Sequence, residues 1–337
     1  MDNVSTNTIT IKDMECSVLT NENGFQINVF NYGASLGSLK IPLPNGEKVD
    51  VVLGFDSVDT YKESFGLNSP PYFGAIVGRY AGRISKGLFT LNDQQYKLYP
   101  NNNKNSLHGG KEGFSQKEWT IVAENSGKNP SVTLEYSSPS NEENYPGELD
   151  VKVTYTLSEQ NELIVEYNAK TTEDTIINLT HHSYFNLDGH QGSVENQELM
   201  IASEKLVETD TDNIPTGRFI DLKNHPFDFN LPKKCPTSID TTFVVVATDA
   251  VSASLYSPKN NLKMDVITNQ PGIHVYVGGN CFGTLKGKGN AAYHHLSGIC
   301  FETQNYPDAP NHINFPSAIL KKGEQYYHKT IYKFQFV

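Results

Sequence analysis

The sequence predicts an all-β fold, a large antiparallel β-sandwich, because strand-like runs dominate the chain and helical periodicity is almost absent. Eighteen tyrosines and seventeen phenylalanines favour strands, while 26 glycines and 17 prolines favour turns. The best helical candidate is SVDTYKES at residues 57–64. Roughly twenty short strands at this spacing are typical of a sandwich or barrel. The strand-like runs, in order, include FQINVF, QYKLYP, EWTIVAE, SVTLEYS, DVKVTYTL, ELIVEYNAK, TIINLT, TTFVVVAT, GIHVYV and GICFETQ.

A single domain over residues 1–337 is expected, because neither a low-complexity linker nor a repeat of fixed period divides the chain. The asparagine-rich stretch NNNKNS at 101–106 runs directly into LHGG and is interpreted as a loop. Sandwiches with many strands can exceed the usual domain size. Residues 1–8 are expected to be flexible.

The composition argues against nucleic acid and membrane surfaces as partners, since a net charge of −11 offers no basic face for either. The N-terminal segment lacks the apolar run of a signal peptide, and no stretch approaches the roughly 18 apolar residues that span a membrane. Cys16, Cys235, Cys281 and Cys300 show no metal-binding spacing and are interpreted as reduced thiols. We therefore expect a cytoplasmic protein, with monomer and homodimer both open.

Two of the three arginines lie in GRYAGRI at residues 78–84, in a chain whose other cations are lysines. The planar fork of a guanidinium can bind adjacent hydroxyls of a sugar, or a carboxylate, in a fixed geometry. A buried structural ion pair is the alternative for both Arg79 and Arg83. The residues alone favour the two interpretations equally.

Two other candidates are weak when each is taken singly. In NSLHGG, Gly109 and Gly110 allow a sharp turn that would leave His108 at the edge of a pocket, although most loop histidines are surface residues. Asp240 precedes an apolar run, where aspartate commonly stabilises a turn. Both depend on the residues that the fold brings near them.

The segment INLTHHSYFNL at residues 177–187 is more informative if it forms one regular strand. One face would then carry Asn178, Thr180, His182, Tyr184 and Asn186. A polar face on an otherwise apolar strand predicts a concave, wet cleft that contains His182 and Tyr184, with His181 turned toward the core.

A metal site is not expected. Neighbouring residues on a strand point to opposite faces, so neither the His181–His182 pair nor the His294–His295 pair can bind one ion without a bulge. HExxH and HxH spacings are also absent from the sequence.

The segment SGICFETQNYPDAPN at residues 297–311 places Cys300, Glu302 and Gln304 on one strand face, opposite Phe301. A carboxylate beside Phe and Cys is poorly solvated, which makes it a better base near neutral pH. Most glutamates form surface ion pairs instead, but the following loop, QNYPDAPN, is dense in polar residues and fixed by two prolines. We therefore interpret Glu302 as a general base.

These segments together resemble one family, the aldose 1-epimerases, also called galactose mutarotases. The matching pieces follow the family's order between about residues 75 and 311. They are GRYAGRI, NSLHGG, YPGELDVKVTYTL, INLTHHSYFNL, TDNIPTGRF, QPG, GTLKGK and FETQNYPDAPN. The resemblance implies a large β-sandwich that interconverts the α and β anomers of free aldoses without a cofactor.

The resemblance also implies roles for individual residues. Glu302 corresponds to the general base, and His182 corresponds to the general acid. The residues that it assigns to sugar binding are Arg83, His108, Asp240 and Gln270, and Tyr184 joins them from its predicted face. Arg79 is then structural. Gly82, His181 and Thr241 differ from the residues that many members have, so the preferred aldose, galactose, glucose or another, is left open.

Three alternatives remain at this point. A glycoside hydrolase would use Asp240 and Glu302 as its two carboxylates, but would leave His182 without a part. A non-catalytic sugar-binding or regulatory protein on the same fold would not require an acid–base pair. A mutarotase for sugar phosphates would need a phosphate site, which the shortage of arginine disfavours.

Overall fold

The structure is a computed structural model that describes residues 5–11, 14–279 and 283–337. In the first part of the chain its strands are β1 Ser5–Ile11, β2 Met14–Thr20, β3 Gln26–Phe30, β4 Leu36–Pro42, β5 Lys48–Asp50, β6 Ile76–Val77, β7 Arg83–Ile84, β8 Leu88–Leu91, β9 Gln94–Lys97 and β10 Ser106–Leu107. The next are β11 Thr120–Asn125, β12 Ser131–Ser138, β13 Leu149–Leu157, β14 Glu162–Thr171, β15 Thr175–Ile176, β16 Thr180–His181, β17 Tyr184–Phe185, β18 Glu198–Ile201, β19 Lys205–Thr209 and β20 Pro215–Asp221. The last are β21 Lys233–Lys234, β22 Ile239–Val244, β23 Val251–Ser257, β24 Leu262–Thr268, β25 Gly272–Val277, β26 Ile299–Gln304, β27 Ile319–Leu320 and β28 Tyr326–Phe336.

The described residues contain one α-helix, α1 at Val58–Ser64, which confirms the helical candidate of the sequence. Its N-cap is Ser57, whose side-chain oxygen accepts a hydrogen bond from the backbone N–H of Thr60 at 3.2 Å. Short 3₁₀ turns occur at Ser85–Gly87, Phe114–Gln116, Glu142–Asn144, Val194–Asn196, Lys288–Asn290 and Ala309–Asn311. No helix in the described ranges is long and apolar enough to cross a membrane.

Within the described residues, three large antiparallel sheets contain most of the strands and confirm the predicted β-sandwich. The nine-stranded sheet has the order β11-β12-β13-β14-β28-β24-β23-β18-β21, and the six-stranded sheet has the order β17-β26-β25-β22-β19-β20. A five-stranded sheet runs in order from β1 to β5. One apolar core joins the three sheets, with Val153 from the first, Phe301 from the second and Ile27 from the third. The six-stranded sheet therefore has one face on the core and a second face free to carry polar side chains.

The segment at 177–187 departs from the single regular strand that its sequence predicts. It contains two short strands, β16 and β17, which pair with β6 and β26 respectively. Its change of partners follows from side chains that bind backbone carbonyl oxygens instead of facing a cleft. Asn178 donates to Ala81 at 3.0 Å, Thr180 to Thr303 at 2.9 Å and Asn186 to Ser297 at 2.9 Å. The predicted polar cleft face was wrong for these three residues.

Three of the four cysteines, Cys16, Cys235 and Cys300, are buried free thiols, which confirms the interpretation for them. Cys281 lies outside the described residues.

Arg79 has a structural role beneath the loop that precedes β13. Its side chain is buried and donates to the hydroxyl of Ser138 at 2.9 Å. It also donates to the carbonyl oxygens of Ser138, Pro139, Pro146 and Gly147. Burial lowers the pKa of Arg79 to about 10, so the guanidinium keeps its charge at neutral pH. The fork of donors thus satisfies carbonyl groups that would otherwise be buried without partners.

We expect Arg79→Met to lower the free energy of unfolding by roughly 3–5 kcal/mol, because several buried carbonyl oxygens lose their charged donor. Urea unfolding followed by circular dichroism measures this loss. Arg218→Met is the matched control, since it removes the same charge from a side chain that is 74% exposed and should stay close to wild type. Equal losses in the two variants would contradict the structural role of Arg79.

Candidate active site

A cleft of about 280 Å³ opens on the face of the six-stranded sheet that is turned away from the core. Its floor consists of cross-strand pairs on β22, β25 and β26. Thr242 pairs with His274, which in turn pairs with Glu302. In the adjacent row, Asp240 pairs with Tyr276. Because paired residues share a sheet face, the antiparallel register itself brings these polar side chains together.

Glu302 and His182 face each other across the deepest part of the cleft. Glu302 is 2% exposed and His182 is 4% exposed. Oε1 of Glu302 lies 3.6 Å from Nε2 of His182, which is longer than a normal hydrogen bond. The two groups are therefore close enough to reach the same ligand from the side, and no hydrogen bond joins them to each other.

The backbone and Cys300 fix the ring of His182. Its backbone N–H donates to Ala75 at 3.0 Å, and its carbonyl oxygen accepts from Gly74 at 3.1 Å. The sulfur of Cys300 lies 3.7 Å from Nδ1. Burial, followed by the charge of Glu302, raises the pKa of the Cys300 thiol well above its usual value, so the group beside Nδ1 is a neutral thiol.

His108 lies beside the His182–Glu302 pair and is a neutral hydrogen-bond donor held in a fixed orientation. It has a φ of 52°, and its Nδ1 accepts the backbone N–H of Gly82 at 3.2 Å. Burial lowers the pKa of His108 well below its usual value, and the nearby His182 and Arg83 lower it further. The imidazole is therefore neutral with its proton on Nε2, where it can donate to a ligand.

Arg83 is placed by the pairing of β7 with β10, in which it lies opposite Leu107, the neighbour of His108. Its Nε donates to the side-chain oxygen of Asn102 at 3.2 Å. Within the described residues, its two terminal nitrogens have no hydrogen-bond partner, and the side chain lines the cleft. Arg83 thus offers a guanidinium fork to a ligand, whereas Arg79 lies outside the cleft.

Asp240 lies in β22, at the opposite end of the cleft floor from Gln304. Its Oδ1 accepts a hydrogen bond from Nε2 of His274 at 2.8 Å, and its Oδ2 accepts one from Asn213 at 2.9 Å. Burial would raise the pKa of Asp240, but the hydrogen bond and charge of His274, followed by the charge of Arg83, lower it. Asp240 is therefore an ionised acceptor that two neighbours hold in a fixed orientation.

Aromatic rings close the cleft around the His182–Glu302 pair. The ring of Tyr72 lies 4.9 Å from that of His108 and 5.6 Å from that of His182, between centroids. The ring of Tyr184 lies 5.4 Å from that of His182. Burial raises the pKa of Tyr72 to about 12, so its hydroxyl stays protonated. These rings restrict the access of water to the pair.

Six of the seven residues expected at the site line the cleft, namely Glu302, His182, Arg83, His108, Asp240 and Tyr184. The structure does not bring Gln270 to it. Pro271 follows Gln270 and β25 begins at Gly272, so Gln270 belongs to the turn, where its side chain donates to Asn269 at 3.1 Å. His181 is buried on the other side, with its ring 5.9 Å from that of Tyr332.

The sequence analysis missed two cleft residues of β25, although the alternation of side chains along a strand would have identified them. In GIHVYV, His274 and Tyr276 alternate with the core residues Ile273, Val275 and Val277. The same alternation was used in the sequence analysis to assign residues 299–304 to the two faces of their strand. Three other missed residues, Tyr72, Asn102 and Asn213, lie in loops and give no periodic signal.

His108, His182 and Glu302 offer ligand atoms that all lie within 4.8 Å of one another, a spacing that invites comparison with a metal site. The tautomer of His108 argues against that use. Its Nδ1 already accepts the Gly82 N–H, so a neutral ring has a proton rather than a lone pair on Nε2. This cluster suits proton exchange better than metal binding.

Comparison with known proteins places these observations in a family. The family model for aldose 1-epimerase matches residues 15–333. The galactose mutarotase of Bos taurus is 40% identical over 321 residues, which cover 92% of this chain and 91% of that protein. The aldose 1-epimerase of Escherichia coli (strain K12) is 31% identical over 333 residues, 94% of each chain. The crystal structure of an aldose epimerase homologue from C. elegans superimposes with a TM-score of 0.86 at 28% identity, covering 99% of this chain and 100% of that one.

We expect Gly109→Ala to destabilise the loop that carries His108, because a Cβ there would lie 1.9 Å from the carbonyl oxygen of Gly78. Gly127→Ala is the matched control. Both glycines have positive φ, +93° and +114°, but a Cβ at Gly127 meets nothing within 4 Å. Gly109→Ala should therefore lose roughly 1–3 kcal/mol more unfolding free energy than Gly127→Ala in urea titrations. Equal losses would show that the close approach to Gly78 does not constrain the loop.

Proposed function

Because the chain belongs to the aldose 1-epimerase family, we propose that it interconverts the α and β anomers of free aldoses by acid–base opening and reclosure of the sugar ring. The observation that carries this proposal is the buried pair formed by Glu302 Oε1 and His182 Nε2, which face each other at 3.6 Å. An acceptor and a donor at this separation can act on two oxygens that share one carbon, as in a hemiacetal.

In the proposed reaction, Glu302 removes the proton of the C1 hydroxyl while His182, as an imidazolium, donates its Nε2 proton to the ring oxygen and is left neutral. The bond between C1 and the ring oxygen breaks, giving an aldehyde and a free hydroxyl. Rotation about C1–C2 presents the other face of the aldehyde. The hydroxyl then attacks C1, His182 recovers its proton and Glu302 returns the proton to the new C1 oxygen. Each positioned group typically contributes about 10²–10⁴-fold to such a rate.

Arg83, His108 and Asp240 are proposed to hold the remaining sugar hydroxyls while the ring is open. Arg83 and the neutral His108 supply donors, and the ionised Asp240 supplies acceptors. Fixing the open chain at several points favours reclosure over escape. Tyr184 is proposed to contact the sugar beside His182.

Galactose and glucose are the proposed substrates. Mammalian relatives with this activity are named galactose mutarotases, and the bovine protein is 40% identical to this chain. A cleft of about 280 Å³ is slightly smaller than the roughly 300–1,000 Å³ of most ligand pockets, which suits a monosaccharide.

The electrostatics of Asp240 disfavour the glycoside hydrolase alternative. Such an enzyme needs one carboxyl group that keeps its proton to protonate the leaving oxygen. The hydrogen bond and charge of His274 lower the pKa of Asp240 despite burial, so this carboxylate is a poor proton donor. A purely sugar-binding protein, in turn, would have no use for a buried acid–base pair.

We also propose a cytoplasmic, single-domain protein, monomeric or homodimeric, that needs no cofactor and binds no nucleic acid. The net charge of −11 supports the last point, and the buried free thiols support a reducing compartment.

The first test compares wild type, Glu302→Gln and His182→Ala by polarimetry of freshly dissolved α-D-galactose and α-D-glucose. Each substitution removes one proton-transfer group, so kcat/KM should fall by about 10²–10⁴-fold. Glu22→Gln, at an exposed position of a turn, is the control and should match wild type. A wild-type protein that leaves the spontaneous rate unchanged on every aldose tried would refute the assignment. A flat profile between about pH 5 and 9 would refute the pairing of a base with an acid.

A second test addresses sugar binding by Arg83. Arg83→Met should raise KM by about 10–100-fold, with a smaller effect on kcat, because charged hydrogen bonds to sugar hydroxyls are lost. Arg218→Met makes the same change in net charge at an exposed site and should leave KM unchanged. If Arg83→Met keeps the wild-type KM, the guanidinium does not hold the sugar.

A further inference from the structure

His274 lies between the two carboxylates of the cleft, and the proposed reaction gives it no task. It stands opposite Glu302 on one neighbouring strand and opposite Thr242 on the other. Its Nε2 lies 2.8 Å from Asp240 Oδ1, and its Nδ1 lies 2.9 Å from the hydroxyl of Thr242. The side chain is 15% exposed. Both ring nitrogens therefore have a fixed partner inside the cleft.

The surroundings of His274 favour its protonated form. An ionised carboxylate can only accept, so Nε2 must donate to Asp240, while the Thr242 hydroxyl can accept from Nδ1. Burial lowers the pKa of His274, but the hydrogen bond to Asp240 and the charges of Glu302 and Asp240 outweigh it and raise the pKa above its usual value. The charged and titratable groups around it are Asp240 on β22, Glu302 on β26, Tyr276 on β25, Arg83 on β7, and His108 and His182 in the adjoining loops.

We propose that His274 is a positioning residue: as an imidazolium it orients Asp240 toward the sugar and places a positive charge between the two carboxylates of the cleft. The inference rests on the function proposed above. Two nearby carboxylates disfavour each other's ionisation in a buried site, and a cation between them removes that penalty. His274 transfers no proton in the reaction.

The geometry explains how His274 would act on specificity. Each oxygen of a carboxylate can accept two hydrogen bonds. His274 occupies one position on Oδ1 of Asp240, and Asn213 occupies one on Oδ2. One acceptor position therefore remains on each oxygen, and their directions are set by the two protein donors. A sugar hydroxyl that meets these directions binds, and a differently placed hydroxyl does not.

Two variants separate the hydrogen bond of His274 from its charge. His274→Gln keeps an N–H donor for Asp240 without the charge, whereas His274→Ala removes both. We expect His274→Ala to raise KM by about 10–100-fold. We expect His274→Gln to bind more tightly than His274→Ala, but to move the acid limb of its kcat/KM profile up by about one pH unit, because Asp240 is then easier to protonate. His295→Gln, at an exposed histidine, is the control and should keep the wild-type profile.

Nuclear magnetic resonance of ¹⁵N-labelled histidine tests the charge without any activity assay. The His274 signal is identified by its absence from the spectrum of His274→Gln. In the wild type it should remain doubly protonated above about pH 6.5, the usual pKa of histidine. In Asp240→Asn it should lose its second proton at a lower pH, because the carboxylate that stabilises the cation is gone.

The outcomes distinguish this inference from the proposed function. An inactive wild type whose His274 is still doubly protonated above about pH 6.5 refutes the epimerase assignment and leaves the charge of His274 established. An active wild type whose His274→Gln variant keeps the wild-type acid limb overturns the inference alone. A neutral His274 at about pH 6 overturns it as well. If His274→Ala does not fold, the profile of His274→Gln and the spectra decide the matter.

Discussion

The alternation of side chains along β26 is the constraint on which the rest of the site depends. Phe301 faces the core that joins the three large sheets, and Glu302 faces the cleft from the next position. Since a strand has a period of two, the packing that holds Phe301 also fixes the direction of the carboxylate. The neighbouring strands then supply His274 and Thr242 in register with Glu302. A slip of one residue would exchange the core and the site, so the stability of the sandwich keeps the acid–base geometry in place.

The site combines side chains from the six-stranded sheet with side chains from loops. Hydrogen bonds to the backbone hold these loops in place. His182 is fixed through Gly74 and Ala75, and His108 through Gly82. Arg79 works on the same principle at a distance, since it binds carbonyl oxygens between residues 138 and 147. Precise placement of an irregular segment needs such partners, because it has no ladder of its own to satisfy its polar groups. The two arginines of GRYAGRI thus divide into one that holds the structure and one that offers its donors to a ligand.

The alternation of residues in the sequence predicted which side chains face the cleft where the chain forms a regular strand. It correctly separated Glu302 from Phe301 and His182 from His181, because those side chains alternate as the period requires. It failed where contacts with distant parts of the chain determine the direction of the side chains. The segment 177–187 is split between β16 and β17, which pair with different strands, and its asparagines bind carbonyl oxygens from other parts of the chain, Asn178 at Ala81 and Asn186 at Ser297. Gln270 was misplaced because the resemblance to a family fixes a motif more firmly than the direction of one side chain in a turn.

The histidines of this region differ in charge because their partners differ. Burial, followed by the charge of the nearby His182, lowers the pKa of His181 to about 3 and keeps this histidine neutral. His108 is partly buried, which also lowers its pKa, and the Gly82 N–H fixes its tautomer. His274 is also partly buried, but a carboxylate at 2.8 Å outweighs the effect of burial on its pKa and favours the cation. His182 has neither constraint on Nε2, which meets Glu302 only across a 3.6 Å gap. A proton that must leave and return during one catalytic cycle belongs on the histidine whose reactive nitrogen no protein group holds.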